Sequence, residues 1–204
     1  MQSVATDLST EISRFERHER SRETRMVLAK RLEEVATRRA SWSPWVEELS
    51  AAFGEAAVLL AFGATATARP GAVLTVGIAP EFRRTYAQRY YAGDPWRQRL
   101  GTISSRIVFG YEVLPRPLLL RSEFYTDWMA PQGFHDVPTI NGVIRAHSGA
   151  GAALAIFRAR KTPMLQIEDL ILLRELLPEL QRALTRHAHP PRHGQSLDQV
   201  RRCA

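Results

Sequence analysis

The chain has 204 residues, 45% of them hydrophobic and 24% charged, the balance of a soluble protein long enough for one domain core with extensions; no apolar run approaches the roughly 18 residues of a membrane-spanning helix. Its formal charge of +7 is unevenly placed: residues 182–204 hold five Lys/Arg against one Asp/Glu, while residues 41–181 hold fourteen against thirteen. The globular middle is therefore nearly neutral, and the excess sits at the ends of the chain, most of it in a basic tail. The single cysteine, Cys203, excludes a disulfide framework, and the N-terminus lacks the basic start and apolar block of a signal peptide, so a cytoplasmic setting is expected.

Residues 6–38 contain neither Gly nor Pro and predict one long helix or two, with Thr6 or Asp7 at the start. Val4, Leu8, Ile12 and Phe15 share one face, as do Leu28, Leu32 and Val35, around a polar middle with acid-before-base pairs Glu16–Arg20 and Glu34–Arg38. An arm apolar only at its ends suits packing on a second chain. Ser43 and Pro44 then open a helix whose stripe is Trp45, Leu49, Ala52 and Phe53, closed by Gly54.

"AAVLLAF" and residues 72–78 predict two strands, and Pro80 opens a helix over "EFRRTYAQRYY" that stops at Gly93. On that helix Phe82, Tyr86, Arg89 and Tyr90 fall on one side, facing the sheet. Residues 94–101 predict a short helix, with Asp94 either capping it or serving as a pocket acceptor. A short strand is expected near Arg106–Phe109, a loop at Pro115 and Pro117, and a helix over 118–130 ending at Pro131 and Gly133. Strands over 138–147 and 151–160 form an antiparallel hairpin. A helix from about Gln166 to His187 carries Ile167, Leu170, Ile171, Leu173, Leu177, Leu180 and Leu184, with a kink at Pro178. The order predicts an α+β fold, an antiparallel sheet packed with helices. It divides into an N-terminal helical arm (1–39), a central domain (40–188) and a basic tail (189–204).

"RRTYAQRYYAGDPW" and "EFYTDWM" raise one question twice: are these aromatic stripes core, or the wall of a pocket? Buried phenols need partners, since an unsatisfied polar group costs on the order of 1–3 kcal/mol. A neighbouring carbonyl or a polar ligand would each serve. The candidate ligand-binding residues are Phe82, Tyr86, Tyr90, Asp94, Trp96, Tyr125 and Trp128, with Phe124/Trp128 also read as core. No nucleophile elbow, zinc-binding helix motif or phosphate loop occurs. No catalytic residue, metal site or cofactor is expected. His187, His189 and His193 lack a closed ligand set, and His135-Asp136 and His147 are read as loop or strand-end residues.

Two segments together resemble a known family. "WVEELSAAFG" through "FRRTYAQRYYAGDPW", and then "LRSEFYTDWMAPQGF", the hairpin "GVIRAHSGAGAALAIFRAR" and "LLPELQRAL", look like the N-terminal sensor region of LuxR-type helix-turn-helix transcriptional regulators, a PAS/GAF-like fold. The resemblance covers roughly residues 40–188. It implies a sensing domain that is not an enzyme, that binds a small molecule or a partner, and that forms a homodimer or a heterodimer with a related regulator. The helix-turn-helix of such regulators would follow "LLPELQRAL", and "PPRHGQSLDQVRRCA" cannot form it, which puts DNA binding by the usual route in doubt. The family often has His after the proline of that helix, where this chain has Glu179. In the autoinducer-binding branch, an aromatic, a tyrosine four residues on and an Asp-Pro recur in the order of Phe82, Tyr86 and Asp94-Pro95. The branch has tryptophan where this chain has Phe82. The likeness implies that Tyr86 contacts a ligand carbonyl and Asp94 accepts a ligand N–H. The alternative is a ligand-free interaction module, and a third reading is weak, salt-dependent nucleic-acid contact by the tail.

Overall fold

The computed structural model describes residues 19, 21–63, 70–101, 104–146 and 148–187. The apolar stripe of residues 4–15, the Glu16–Arg20 pair, His147 and the tail lie outside them, as does the side chain of His187.

Five antiparallel strands form one sheet in the order β2-β1-β5-β4-β3: β1 (Ala57–Phe62), β2 (Ala72–Val76), β3 (Arg106–Phe109), β4 (Ile140–Arg145) and β5 (Gly151–Phe157). The fold is α+β, with a helical layer on each face. The two-residue period of a strand divides the side chains between those layers. Val58 and Leu60 of β1, Ile140 and Ile144 of β4, and Leu154 and Ile156 of β5 face one core. Ala57, Leu59 and Ala61 of β1, and Ala153, Ala155 and Phe157 of β5, face the other.

The first core is mainly aliphatic, with Trp42, Trp45, Phe53 and Phe109 among its buried side chains. It is covered by α1 (residues 21–36), α2 (Ser43–Ala52), α8 (Ile167–Glu175) and α9 (Leu177–His187). Leu28, Leu32 and Val35 of α1 are buried there as their spacing requires, so this part of the arm packs on its own sheet. Each such side chain contributes about 1.5–3 kcal/mol by leaving water.

Several local expectations change. Helix α1 ends before Arg38, which takes a left-handed φ of 60° and donates from Nη2 to Arg186 O, so Glu34 pairs with Arg31 instead. Trp42, not Ser43, occupies the N-cap position of α2 and makes no side-chain capping bond, and Ala52 is exposed where Val46 and Ser50 are buried. The proline loop is helical: α6 (Gly110–Val113) is followed by α7 (Arg116–Leu120), whose Pro117 sits in the first turn where its missing N–H costs nothing. The helix expected over 118–130 is interrupted at Arg121 and Ser122, and continues as a π-type turn, Phe124–Met129. The last helix is two helices. Pro178 cannot donate to Arg174 O, and the chain breaks at Leu176 rather than bending through it. Leu176 is buried at the break, and Ile167 and Ile171, on the face of α8 opposite its buried leucines, are about half exposed.

Among the described residues no helix is long and apolar enough to cross a membrane.

Candidate functional site

The second face of the sheet is where aromatic chemistry gathers. Alanines at 57, 61, 153 and 155 keep the floor low, and the space above is filled by rings from α3 (Pro80–Thr85), the turn that follows it, and the segment around Phe124. Helix α3 passes into a π turn over Tyr86–Tyr90 before α4 (Tyr91–Gly93). One extra residue per turn shifts the helical register. Tyr86, Tyr90 and Tyr91 are all buried as a result, while Arg89 points outward to Glu123 at 3.0 Å. The regular 3.6-residue spacing had placed Arg89 on the inner face and omitted Tyr91.

Asp94 caps α5 (Pro95–Leu100), its Oδ1 accepting the N–H groups of Trp96 and Arg97, both at 3.0 Å. Oδ2 accepts the Tyr86 hydroxyl at 2.9 Å. Asp94 is thus the cap of α5, and its second oxygen, expected as the alternative to face a pocket, is taken by the Tyr86 hydroxyl. Burial pushes the Asp94 carboxyl above the ordinary carboxylate range, against the three hydrogen bonds that favour its charge. Burial also drives the Tyr86 phenol well above its usual value, with the Asp94 charge adding to it. Tyr86 is thus a neutral donor and Asp94 a weakly acidic acceptor.

The other predicted residues join this cluster. Trp96 is buried with its Nε1 donating to Gly110 O at 3.1 Å, and its ring meets Phe124 edge-on at 5.7 Å. Trp128 stacks on Phe124 at 5.0 Å, lies 5.5 Å from the Tyr86 ring, and donates from Nε1 to Phe82 O at 2.8 Å. The Phe82 and Tyr125 rings pack at the margin, half-buried, and the Tyr125 hydroxyl accepts from Arg160 Nη2 at 3.0 Å, away from Tyr86. All seven candidates are therefore drawn to one layer, and Tyr86 and Asp94 satisfy one another within it.

Beside that layer, a cavity of about 180 Å³ lies between α5 and the sheet, bounded by Gly63, Tyr91, Arg97, Gln98, Gly101, Val143, Ala152 and Ala153. Arg97 rests over the Tyr91 ring at 4.0 Å and donates to Tyr91 O at 3.2 Å, which fixes both as walls. None of the seven candidates lines it. The "YYAGDPWRQRL" stretch held the signal, in Tyr91 and Arg97, but only the π turn and the α5 cap bring them to the alanine face. No group of His, Cys, Asp and Glu able to hold a metal ion occurs among the described residues.

Similar folds are found among solved structures. SdiA in complex with octanoyl-rac-glycerol matches at a TM-score of 0.51 and 18% identity, over 86% of this chain and 72% of that one. The N-acylhomoserine-lactone-dependent LuxR family transcription factor CepR2 from Burkholderia cenocepacia matches at 0.53 and 17%, over 82% and 99%. Escherichia coli SdiA in a further crystal form matches at 0.52 and 15%, over 85% and 72%. No protein-family model and no curated protein matches the chain. The five-stranded sheet between two helical layers is thus a fold that this chain shares with SdiA and with the LuxR family factor CepR2.

Proposed function

We propose that the chain is a ligand-sensing regulatory domain of the LuxR type, acting in the cytoplasm by pairing with a second copy or a related regulator. The observation that carries the reading is the cavity between α5 and the sheet, walled by Tyr91 and Arg97, with Tyr91 packed in the same layer as Tyr86 and Trp96. Pockets that mix apolar walls with a few polar groups are the usual form of small-molecule sites. Neighbours of the same fold include one solved with octanoyl-rac-glycerol and one described as N-acylhomoserine-lactone-dependent. The proposal keeps the PAS/GAF-like layout and the division into arm, sensor domain and tail. In it, Phe82, Tyr86, Tyr90, Asp94, Trp96, Tyr125 and Trp128 form the aromatic layer behind the Tyr91 wall: a ligand that reaches past Tyr91 to the Asp94 acceptor or the Tyr86 donor alters the packing of the whole layer.

Native mass spectrometry of the purified protein tests this. A small molecule retained under native conditions and released by denaturant is the expected result. Its loss in Ala153→Leu, which fills the cavity from the floor, would place it there. A protein that carries nothing and shows no altered spectrum with acyl ligands would overturn the sensor reading.

A second reading, a ligand-free interaction module, is favoured by one observation: Tyr86 and Asp94 already satisfy each other, and rings close the space around them. It predicts an unchanged oligomeric state in every ligand tested.

A further inference from the structure

We propose that the surface groove between α6 and α8 binds a neutral, largely apolar small molecule headed by a cis amide, a primary carboxamide or a lactam, whose carbonyl accepts from Arg174 and whose N–H donates to Glu112. The groove shares no lining residue with the cavity beside α5, so the inference goes beyond the sensor reading and does not depend on it.

The groove holds about 620 Å³, within the roughly 300–1,000 Å³ of small-molecule sites. Buried Phe109, Leu165 and Leu170 form its floor. Tyr111, Met164 and Ile167 line it as well, each about half exposed, and the Tyr111 ring stacks on Phe109 at 5.3 Å. An apolar surface of this kind gains by being covered. Gln166 Nε2 is engaged with Met164 O at 2.8 Å, and the two charged lining residues are Glu112 and Arg174.

Both are pinned to β3. Arg174 Nε donates to Ile107 O at 2.8 Å, and Glu112 Oε1 accepts from Phe109 N–H at 2.8 Å. Strand β3 is the last in the sheet and pairs only with β4, so these side chains take backbone groups that its outer edge leaves over. They are thereby held by the sheet, as a binding group requires. Their outer atoms, Arg174 Nη2 and Glu112 Oε2, stand 3.8 Å apart. That is too far for a hydrogen bond, and neither atom has another partner among the described residues. One donor and one acceptor therefore lie side by side with no net charge. An anion would be attracted by Arg174 and repelled by Glu112, and a cation the reverse. A cis amide carries its C=O and N–H on the same side and answers both groups at once, whereas a trans secondary amide points them in opposite directions.

The experiment is a ligand-observed NMR titration of the full chain, near neutral pH, with hexanamide, N-methylhexanamide and sodium hexanoate as separate probes. Hexanamide should bind saturably, and the other two should bind about tenfold more weakly. Glu112→Gln keeps the oxygen that accepts from Phe109 N–H and turns the acceptor facing the groove into a donor. It should fold, weaken hexanamide about tenfold and strengthen hexanoate by a similar factor, because two donors then face the probe. Met164→Asp, at an exposed position, should also weaken hexanamide about tenfold. Equal affinity of the native protein and Glu112→Gln for hexanamide would overturn the inference, as would hexanoate binding as well as hexanamide. Hexanamide binding that Ala153→Leu abolishes and Glu112→Gln leaves intact would place the probe beside α5, which overturns this inference and supports the sensor reading. The absence of saturable binding overturns it too, and the mass-spectrometric search for a retained compound then decides the sensor reading by itself. Sedimentation velocity addresses the other occupant: a dimer that Met164→Asp splits would show a second copy in the groove and overturn the small-molecule assignment.

Discussion

The Tyr86 hydroxyl donates to Asp94 Oδ2 at 2.9 Å, in a pair that is wholly buried and eight residues apart. The bond spans the π turn and joins the helix before Gly93 to the helix after it. Asp94 thereby links three things: the phenol, the α5 N-terminus through Trp96 and Arg97 N–H, and the edge of the aromatic layer.

Removing either partner should be expensive in different ways. Tyr86→Phe deletes one donor to a buried carboxyl and should cost about 1–3 kcal/mol. Asp94→Ala strands the phenol and also removes the α5 cap, for about 2–4 kcal/mol in total. Asp94→Asn should be much milder, since its oxygen can cap and its amide can donate to the phenol oxygen. Urea unfolding of the two single variants and the Tyr86→Phe/Asp94→Ala double variant measures the coupling. Additive losses would mean the bond contributes nothing.

The raised Asp94 value has a definite sign for stability. A carboxyl that holds its proton more tightly when folded favours the native state most at low pH. That advantage declines as pH rises from the ordinary carboxylate value of 3.8 through the raised folded value, and it is constant above. The stability of the native protein relative to Asp94→Asn should therefore fall across that window and then level off. Unfolding curves for both proteins from about pH 3.5 upward check it, and a difference that rises with pH would contradict the burial argument.

Gly110 marks the other end of the Trp96 indole. A methyl group there would lie 2.4 Å from Thr139 Oγ1, 2.5 Å from Trp96 Nε1 and 2.7 Å from Asn141 Nδ2. All three atoms are buried, and the Thr139–Asn141 bond of 2.8 Å holds two of them in place. Gly110→Ala should cost about 1–3 kcal/mol by overpacking and should shift the tryptophan fluorescence by displacing Trp96. A variant with native stability and spectrum would show that the layer gives way easily.

How much of this was legible in the sequence depended on what each segment reports. The continuous apolar runs at Val58–Ala61 and over β5 are local signals, and the strands appear where those runs are. The capping by Asp94 followed from Asp-Pro chemistry. The π turn did not, because its cause is tertiary: burying Tyr90 and Tyr91 together against the alanine floor outweighs regular helix geometry. Ile167 and Ile171 looked like core because they are apolar residues at helical spacing, yet α8 buries Leu170, Leu172 and Leu173 and leaves both isoleucines about half exposed.

Those exposed isoleucines bear on pairing. Met26 on α1 is 66% exposed, and Ile167 and Ile171 on α8 are 51% and 47% exposed. The two helices adjoin, since Arg25 meets Glu175 at 3.2 Å. Apolar side chains gathered on adjoining surface helices, rimmed by an ion pair, have the composition of an interface core with a polar rim. If the proposed pairing uses this face, Ile171→Glu places a charge where it would be desolvated and should weaken self-association at least tenfold. As an exposed substitution it should change monomer stability by no more than about 0.5 kcal/mol. Sedimentation velocity over a concentration series reads the first quantity and urea unfolding the second. A dimer that persists in Ile171→Glu and in Met26→Glu would move the pairing surface away from α1 and α8. A native protein that is monomeric throughout would remove self-pairing from the proposed function and leave a related regulator as the partner to seek.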